Sequence, residues 1–270
     1  MEQHSVEVTV LGARGSVPVS GKRFSRYGGA TTCVLLRADE QYVVLDAGTG
    51  LMSLPEEAMR SPSLPLLLTH PHVDHLLGFP LSPCVMRKGF QLDVYAAERE
   101  GLDAEAQVRR LLSPPLWPVG PEVLPADIRF HDLPQLLHLG AFTVENMEGW
   151  HPGGVSLLRL DAFGKRIVFA TDCTLDEYLM PKLAEFGRGC DLLLIDGQYM
   201  SDEWLTRSGF GHNTWEFVTR FAHEEGVPKL RIIHHDPQRT DDMLDCEAEK
   251  LHEICGPEYD FAKEGEVIAL

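Results

Sequence analysis

The chain has 270 residues, 44% of them hydrophobic, enough for a large buried core, and a formal net charge of −17 from 41 acidic against 24 basic side chains. A field of that sign repels polyanions, so a long nucleic-acid partner is disfavoured while a small anion is not excluded. No apolar run approaches the roughly 20 residues that a membrane-spanning helix needs, which sets membrane residence aside.

The opening residues, Met1-Glu2-Gln3-His4-Ser5, carry neither a basic n-region nor an apolar h-region, so a cytoplasmic location is expected. β-rich segments come early, at Val6 to Leu11, Thr31 to Arg37, Tyr42 to Leu45 and Leu64 to Leu68, separated by turns such as Gly28-Gly29 and Asp46-Ala47-Gly48. A strand at Gln91 to Tyr95 and a helix at Ala104 to Leu112 follow. The region around 81–135, with its Pro-rich piece Ser113 to Pro125, is expected as a lid or insertion. Strands are predicted at Phe142 to Met147, Val155 to Leu160 and Arg166 to Ala170, then a helix over Leu175 to Phe186 and a strand at Asp191 to Ile195. A helix over Thr214 to Glu225, a strand at Lys229 to Ile233 and a helix over Asp241 to Ile254 complete the chain. Thr240 reads as the N-cap of the last helix, with Asp241 and Asp242 in its first turn. Many strands without simple βαβ alternation in the first half suggest sheets packed together with helices outside, in one domain spanning 1–270. The cysteines (Cys33, Cys84, Cys173, Cys190, Cys246, Cys255) form no CxxC pair, and reduced, mostly buried thiols are expected.

The stretch Thr69-His70-Pro71-His72-Val73-Asp74-His75 puts three imidazoles and a carboxylate at the end of an apolar run. On a strand ending at Thr69, His70 and His72 project from one face, and Asp74 and His75 follow a change of direction. Such a cluster offers two ligand sets, one of neutral imidazoles and one that also takes a carboxylate. A single histidine is usually satisfied by ordinary hydrogen bonds, but a cluster this dense at a strand end is hard to explain that way. Further polar residues stand at other predicted strand ends: His151 in Trp150-His151-Pro152, Asp172 after Phe169-Ala170-Thr171, and His234-His235-Asp236 after Ile232-Ile233.

The combination of HPHVDH, the later His151, ATDC with Asp172, and IIHHDP resembles the metallo-β-lactamase-fold hydrolases. Within them it is similar to the phosphodiesterase and transfer-RNA 3′-processing branch, including phosphoribosyl cyclic phosphodiesterases and cyclic-nucleotide phosphodiesterases. The resemblance runs from Gly12-Ala13-Arg14-Gly15-Ser16 through Leu45-Asp46-Ala47-Gly48-Thr49-Gly50 to the C-terminal strand. It implies an α/β (α+β) four-layer αββα sandwich with two divalent ions between the sheets, zinc by default and manganese or iron as alternatives. His70, His72 and His151 would hold one ion, Asp74, His75 and His234 the other, and Asp172 would bridge them. Alternation lets only one of His234 and His235 face the cleft; His234 is favoured as ligand, with His235 behind the ligands or facing substrate. Asp46 would orient a ligand histidine by accepting its other ring proton, or else cap its own turn.

Gly211-His212-Asn213-Thr214 precedes a helix, where backbone donors favour anions. The resemblance makes His212 a proton donor to the leaving oxygen and Asp196 its partner, although Asn213 stands where relatives commonly carry Ser. His212, Asp74 and Asp196 are thus the expected catalytic residues. The expected activity is hydrolysis of a small or cyclic phosphodiester by a hydroxide shared between the ions. Rival readings are a lactone or thioester hydrolase on the same fold and a non-catalytic metal-binding protein of a biosynthetic pathway. Whether the chain pairs as a homodimer is left open.

Overall fold

The computed structural model describes residues 4–270; the part of the leader reading that rests on Met1 to Gln3 lies outside them. In chain order the strands are β1 (Val6–Gly12), β2 (Cys33–Ala38), β3 (Gln41–Leu45), β4 (Ser63–Leu68), β5 (Gln91–Ala96), β6 (Asp127–Asp132), β7 (Leu136–Leu139), β8 (Phe142–Gly149), β9 (Val155–Ala162), β10 (Lys165–Ala170), β11 (Leu192–Asp196), β12 (Leu230–Ile233), β13 (Tyr259–Phe261) and β14 (Val267–Ala269). The α-helices are α1 (Ala104–Leu111), α2 (Leu179–Phe186), α3 (Trp204–Arg207), α4 (Trp215–Glu224) and α5 (Asp241–Cys255). Among the described residues these build two seven-stranded sheets, in the orders β14-β1-β2-β3-β4-β5-β6 and β13-β12-β11-β10-β9-β8-β7.

Period-two patterning decides which faces meet. Val6, Val8 and Val10 of β1 are buried with Val34 and Leu36 of β2 in one core that also takes Val144, Leu158, Leu160, Ile167 and Phe169 from the second sheet. The outer face of the first sheet packs on α1 through Ala104 and Val108. The second sheet's outer face is covered by α2, α4 and α5, which contribute Leu183, Val218, Phe221, Leu244 and Leu251. The result is the expected αββα layering, and no helix among the described residues is long and apolar enough to cross a membrane.

In both sheets the strands switch from antiparallel to parallel pairing, at β3 in one and β10 in the other. Parallel strands send their carboxyl ends to one edge, where α/β sheets bind ligands. The segments after β3, β4, β10, β11 and β12 meet at that edge, joined by the β8–β9 turn.

The region 81–135, expected as a lid or insertion, carries two strands of the first sheet. β5 and β6 pair parallel to β4 and to each other, Trp117 and Leu124 pack on the outer core, and none of this region lines the cleft described below. The edge strands β6, β7, β13 and β14 were not anticipated; β6 and β7 bury no residue fully, and β13 and β14 span only three residues each. The second helix starts at Leu179 rather than Leu175 because the Asp176 carboxylate accepts from the backbone of Tyr178 and Leu179, fixing a turn there.

Candidate active site

At the shared edge, His70, His72, His151 and Asp172 present ligand atoms all within 4.8 Å of one another, and so do Asp74, His75, Asp172 and His234. Asp172 belongs to both groups. Its Oδ2 lies 3.6 Å from His70 Nε2, 3.8 Å from His151 Nε2 and 3.2 Å from His234 Nε2, while Oδ1 is 3.3 Å from His75 Nε2. All of these except His72 are buried.

The surroundings fix which ring nitrogen faces inward. His75 Nδ1 donates to Asp46 Oδ2 at 2.8 Å, leaving Nε2 toward Asp74 and Asp172. Thr69 Oγ1 donates to Asp46 and so accepts from His70 Nδ1 at 3.0 Å, which turns the lone pair of His70 Nε2 into the site. His151 Nδ1 donates to the Gly211 carbonyl at 3.0 Å, with the same effect on its Nε2, which lies 3.0 Å from His72 Nδ1. The Asp74 carboxylate accepts from the Ser16 backbone and stands 3.1 Å from His234 Nε2. Asp46 therefore sits behind a site histidine. Thr69 was missed, although it directly precedes His70.

The backbone is bent to achieve this. Ser16, Asp46, Asp172 and His234 all have left-handed φ between 50° and 64°, a conformation that costs a non-glycine residue about 1–3 kcal/mol and concentrates at functional sites. Two glycines leave room for the rings: a Cβ on Gly15 would lie 2.3 Å from His234 Nδ1, and one on Gly211 would lie 2.2 Å from His151 Nδ1.

The neighbouring histidines diverge. His234 enters the site, whereas His235 points the other way, its Nε2 donating to the Ala262 carbonyl between Tyr27 and Phe261. It touches neither a site carboxylate nor the cleft, so the expectation of a role behind the ligands or toward substrate gives way to one in the core. The kink at His234 is the cause, since it rotates the next residue to the opposite face.

Titration behaviour follows from burial and charge. Burial pulls His70 and His72 down, and brings His151 to about 4, so these three are neutral near pH 7. Burial also opposes a charge on His75 and His234. There the carboxylates win: Asp172, Asp74 and Asp46 hold His75 well above the ordinary histidine range, and Asp172 with Asp74 raises His234 to about 9. Burial alone would raise Asp172 and Asp74, yet the adjacent imidazoles hold both well below the usual carboxylate range.

These residues fit a pair of divalent cations. The Nε2 atoms of His70 and His75 are buried without a hydrogen-bond partner, at the centre of a cluster of neutral imidazole and anionic oxygen donors. On neutral His70 the inward lone pair left bare in this way is a cost unless a cation meets it.

Beside the cluster, His212 Nδ1 donates to Asp196 Oδ2 at 2.7 Å, and its ring stacks on His234 with centroids 4.8 Å apart. Asp172, Asp196, His212 and His234 form a third close group, but both Asp196 oxygens are already engaged, Oδ1 by the Gln198 backbone and Oδ2 by His212. Asp196 thus acts as partner to His212, whose free nitrogen is Nε2. Asn213, also missed, ties the segments together: its Nδ2 donates to the carbonyls of Cys173 and Asp196, and its Oδ1 accepts from Leu175. Thr214 caps α4. A cleft of about 310 Å³ opens over His72, Asp74, His151, Asp172, His212 and His234. Arg14 does not reach it, being fully buried and bonded to the carbonyls of Gly28 and Arg239.

The family model for the beta-lactamase superfamily domain matches residues 6–235. Ribonuclease Z of Bradyrhizobium sp. (strain ORS 278) is 23% identical over 297 aligned positions, covering 91% of this chain and 94% of that protein. Among solved structures, the metallo-beta-lactamase fold protein YhfI from Bacillus subtilis is similar with a TM-score of 0.73 and 21% identity, covering 99% of this chain and 100% of that one. A diphosphatase from the PhnP family gives a TM-score of 0.67 and 17% identity, covering 99% and 98%. The chain therefore belongs to the beta-lactamase superfamily, as a metal-dependent hydrolase of the metallo-β-lactamase fold.

Proposed function

We propose that this protein hydrolyses a small or cyclic phosphodiester. The observation that carries the reading is the buried His212–Asp196 pair, stacked against His234 at the edge of the metal-ligand cluster. That position suits a group delivering a proton to a leaving oxygen. Relatives named as a ribonuclease and a diphosphatase support chemistry at phosphorus. The net charge of −17 and a cleft of about 310 Å³ favour a small ester over a long polyanion.

His70, His72 and His151 would hold one divalent cation and Asp74, His75 and His234 a second, with Asp172 between them; zinc suits these donors, as do manganese and iron. When bound, such a pair polarises phosphoryl oxygens and lowers the pKa of water to near 7. The chain's own groups do the rest. Asp46, Thr69 and the Gly211 carbonyl hold the inward nitrogens of His75, His70 and His151 as acceptors. Asp196 accepts from His212 Nδ1 and orients the ring, so that Nε2 is the atom through which a proton would pass to the leaving oxygen.

The test is turnover of bis-p-nitrophenyl phosphate, a cyclic nucleotide, a lactone and a thioester by protein loaded with Zn²⁺ or Mn²⁺. Phosphodiester turnover is expected, and His212→Ala should lower kcat by about 10²–10⁴ with metal content retained. Turnover of the lactone or thioester alone would assign the site to carbonyl chemistry, and inertness toward every substrate would make it a metal-binding protein without catalysis.

A further inference from the structure

The cleft has a polar floor and an apolar rim. Among the lining residues Asp74, His151, Asp172, His212 and His234 are buried and form the floor, Ser16 and His72 are polar and exposed, and the others are Val73, Pro152 and Phe210. Each rim residue is tied by sequence to a floor residue: Val73 stands between His72 and Asp74, Pro152 follows His151, and Phe210 comes two residues before His212. Val73 and Phe210 are each 59% exposed, large apolar side chains left in water at the mouth of a charged site.

Phe210 is held where it stands. It ends a short helical turn whose Arg207 pairs with Asp236 at 2.7 Å and lies over the Tyr199 ring at 5.0 Å. On its other side, Gly211 adopts φ +90° and accepts from His151, in a gap where a Cβ would meet the His151 ring at 2.2 Å. The aromatic ring is therefore carried on a backbone clamped between His151 and His212.

We propose that Phe210, with Val73 and Pro152, forms an apolar subsite for the organic substituent of the leaving group, selecting esters of planar, ring-bearing alcohols. This rests on the phosphodiester reading, in which the leaving oxygen sits beside His212. With phosphorus on the polar floor, the substituent on that oxygen emerges at Phe210, and a cleft of about 310 Å³ admits one ring-sized group rather than a polymer.

The experiment measures binding as well as turnover. Zinc-loaded protein is titrated with inorganic phosphate and with phenyl phosphate, before and after Phe210→Ala. The parent should prefer phenyl phosphate, and the substitution should cut the ratio of the two affinities about tenfold, with Phe210→Leu recovering part of it. A ratio unchanged by Phe210→Ala overturns the subsite. Bis-p-nitrophenyl phosphate and methyl p-nitrophenyl phosphate then locate it: equal loss of kcat/KM on both puts Phe210 on the leaving group, and loss on the first alone overturns that placement. A parent that hydrolyses neither diester and binds neither phosphate overturns the phosphodiester reading and the subsite with it.

Discussion

The Asp172 carboxylate lies between 3.2 and 3.8 Å from the inward nitrogens of His70, His75, His151 and His234, so its charge sets the field of the whole cluster. Together with Asp74 it keeps His234 protonated up to about pH 9, and with Asp74 and Asp46 it keeps His75 protonated as well. Cations must displace those protons. Zinc added at pH 7 to chelator-stripped protein should therefore release protons, and affinity should rise with pH toward about 9; calorimetry in buffers of different ionisation enthalpy measures both. Asp46→Ala removes the acceptor behind His75 and should weaken metal binding about 10–100-fold, read by competition with a chromophoric chelator. The strand-end histidines and Asp172 were legible because a dense polar cluster after an apolar run has few structural uses. His234 was already favoured over His235 as ligand, but the turn of His235 into the core was not legible, since nothing in IIHHDP announces the left-handed φ of 64° at His234.

Between elements, the site depends on how strand-end segments are held to one another. Asn213, 1% exposed, links the segment after β10 to the end of β11 and to its own turn before α4. Asn213→Ala would leave the Leu175 N–H and two carbonyls unpaired, at about 1–3 kcal/mol for each buried group that water cannot reach. Urea unfolding at fixed zinc should show that loss, and metal affinity should fall with it because Asp172 lies on the same segment; Asn213→Ser should be milder in both. The sequence revealed the long, strongly patterned elements, including α5 with its Thr240 cap. It concealed the edge strands, which owe their existence to pairing rather than to a pattern of their own. Asp127-Ile128-Arg129-Phe130-His131-Asp132 alternates, but it is short, has acidic ends and follows a Pro-rich piece, so it fell within the expected lid or insertion; pairing with β5 makes it a strand.

For the molecule as a whole, pH acts through groups buried far from solvent as well as through the site. Burial and the nearby Arg14 charge bring His235 down to about 3 in the folded protein, against roughly 6.5 when unfolded. Between these values the unfolded chain binds the extra proton, so stability falls as pH drops from about 6.5 toward 3, by up to about 1.4 kcal/mol per pH unit. His235→Gln should flatten that slope relative to the parent in denaturation series run at constant zinc. The layered architecture was readable from strand number and order, and the edge at which the segments converge follows from the parallel halves of the two sheets. On the proposed reading this edge would hold two cations with Asp172 between them. Anomalous diffraction at the zinc edge, on crystals of zinc-loaded protein, should show two peaks, one among His70, His72 and His151 and the other among Asp74, His75 and His234, each in contact with Asp172; a single peak, or density remote from Asp172, would rule the cation pair out.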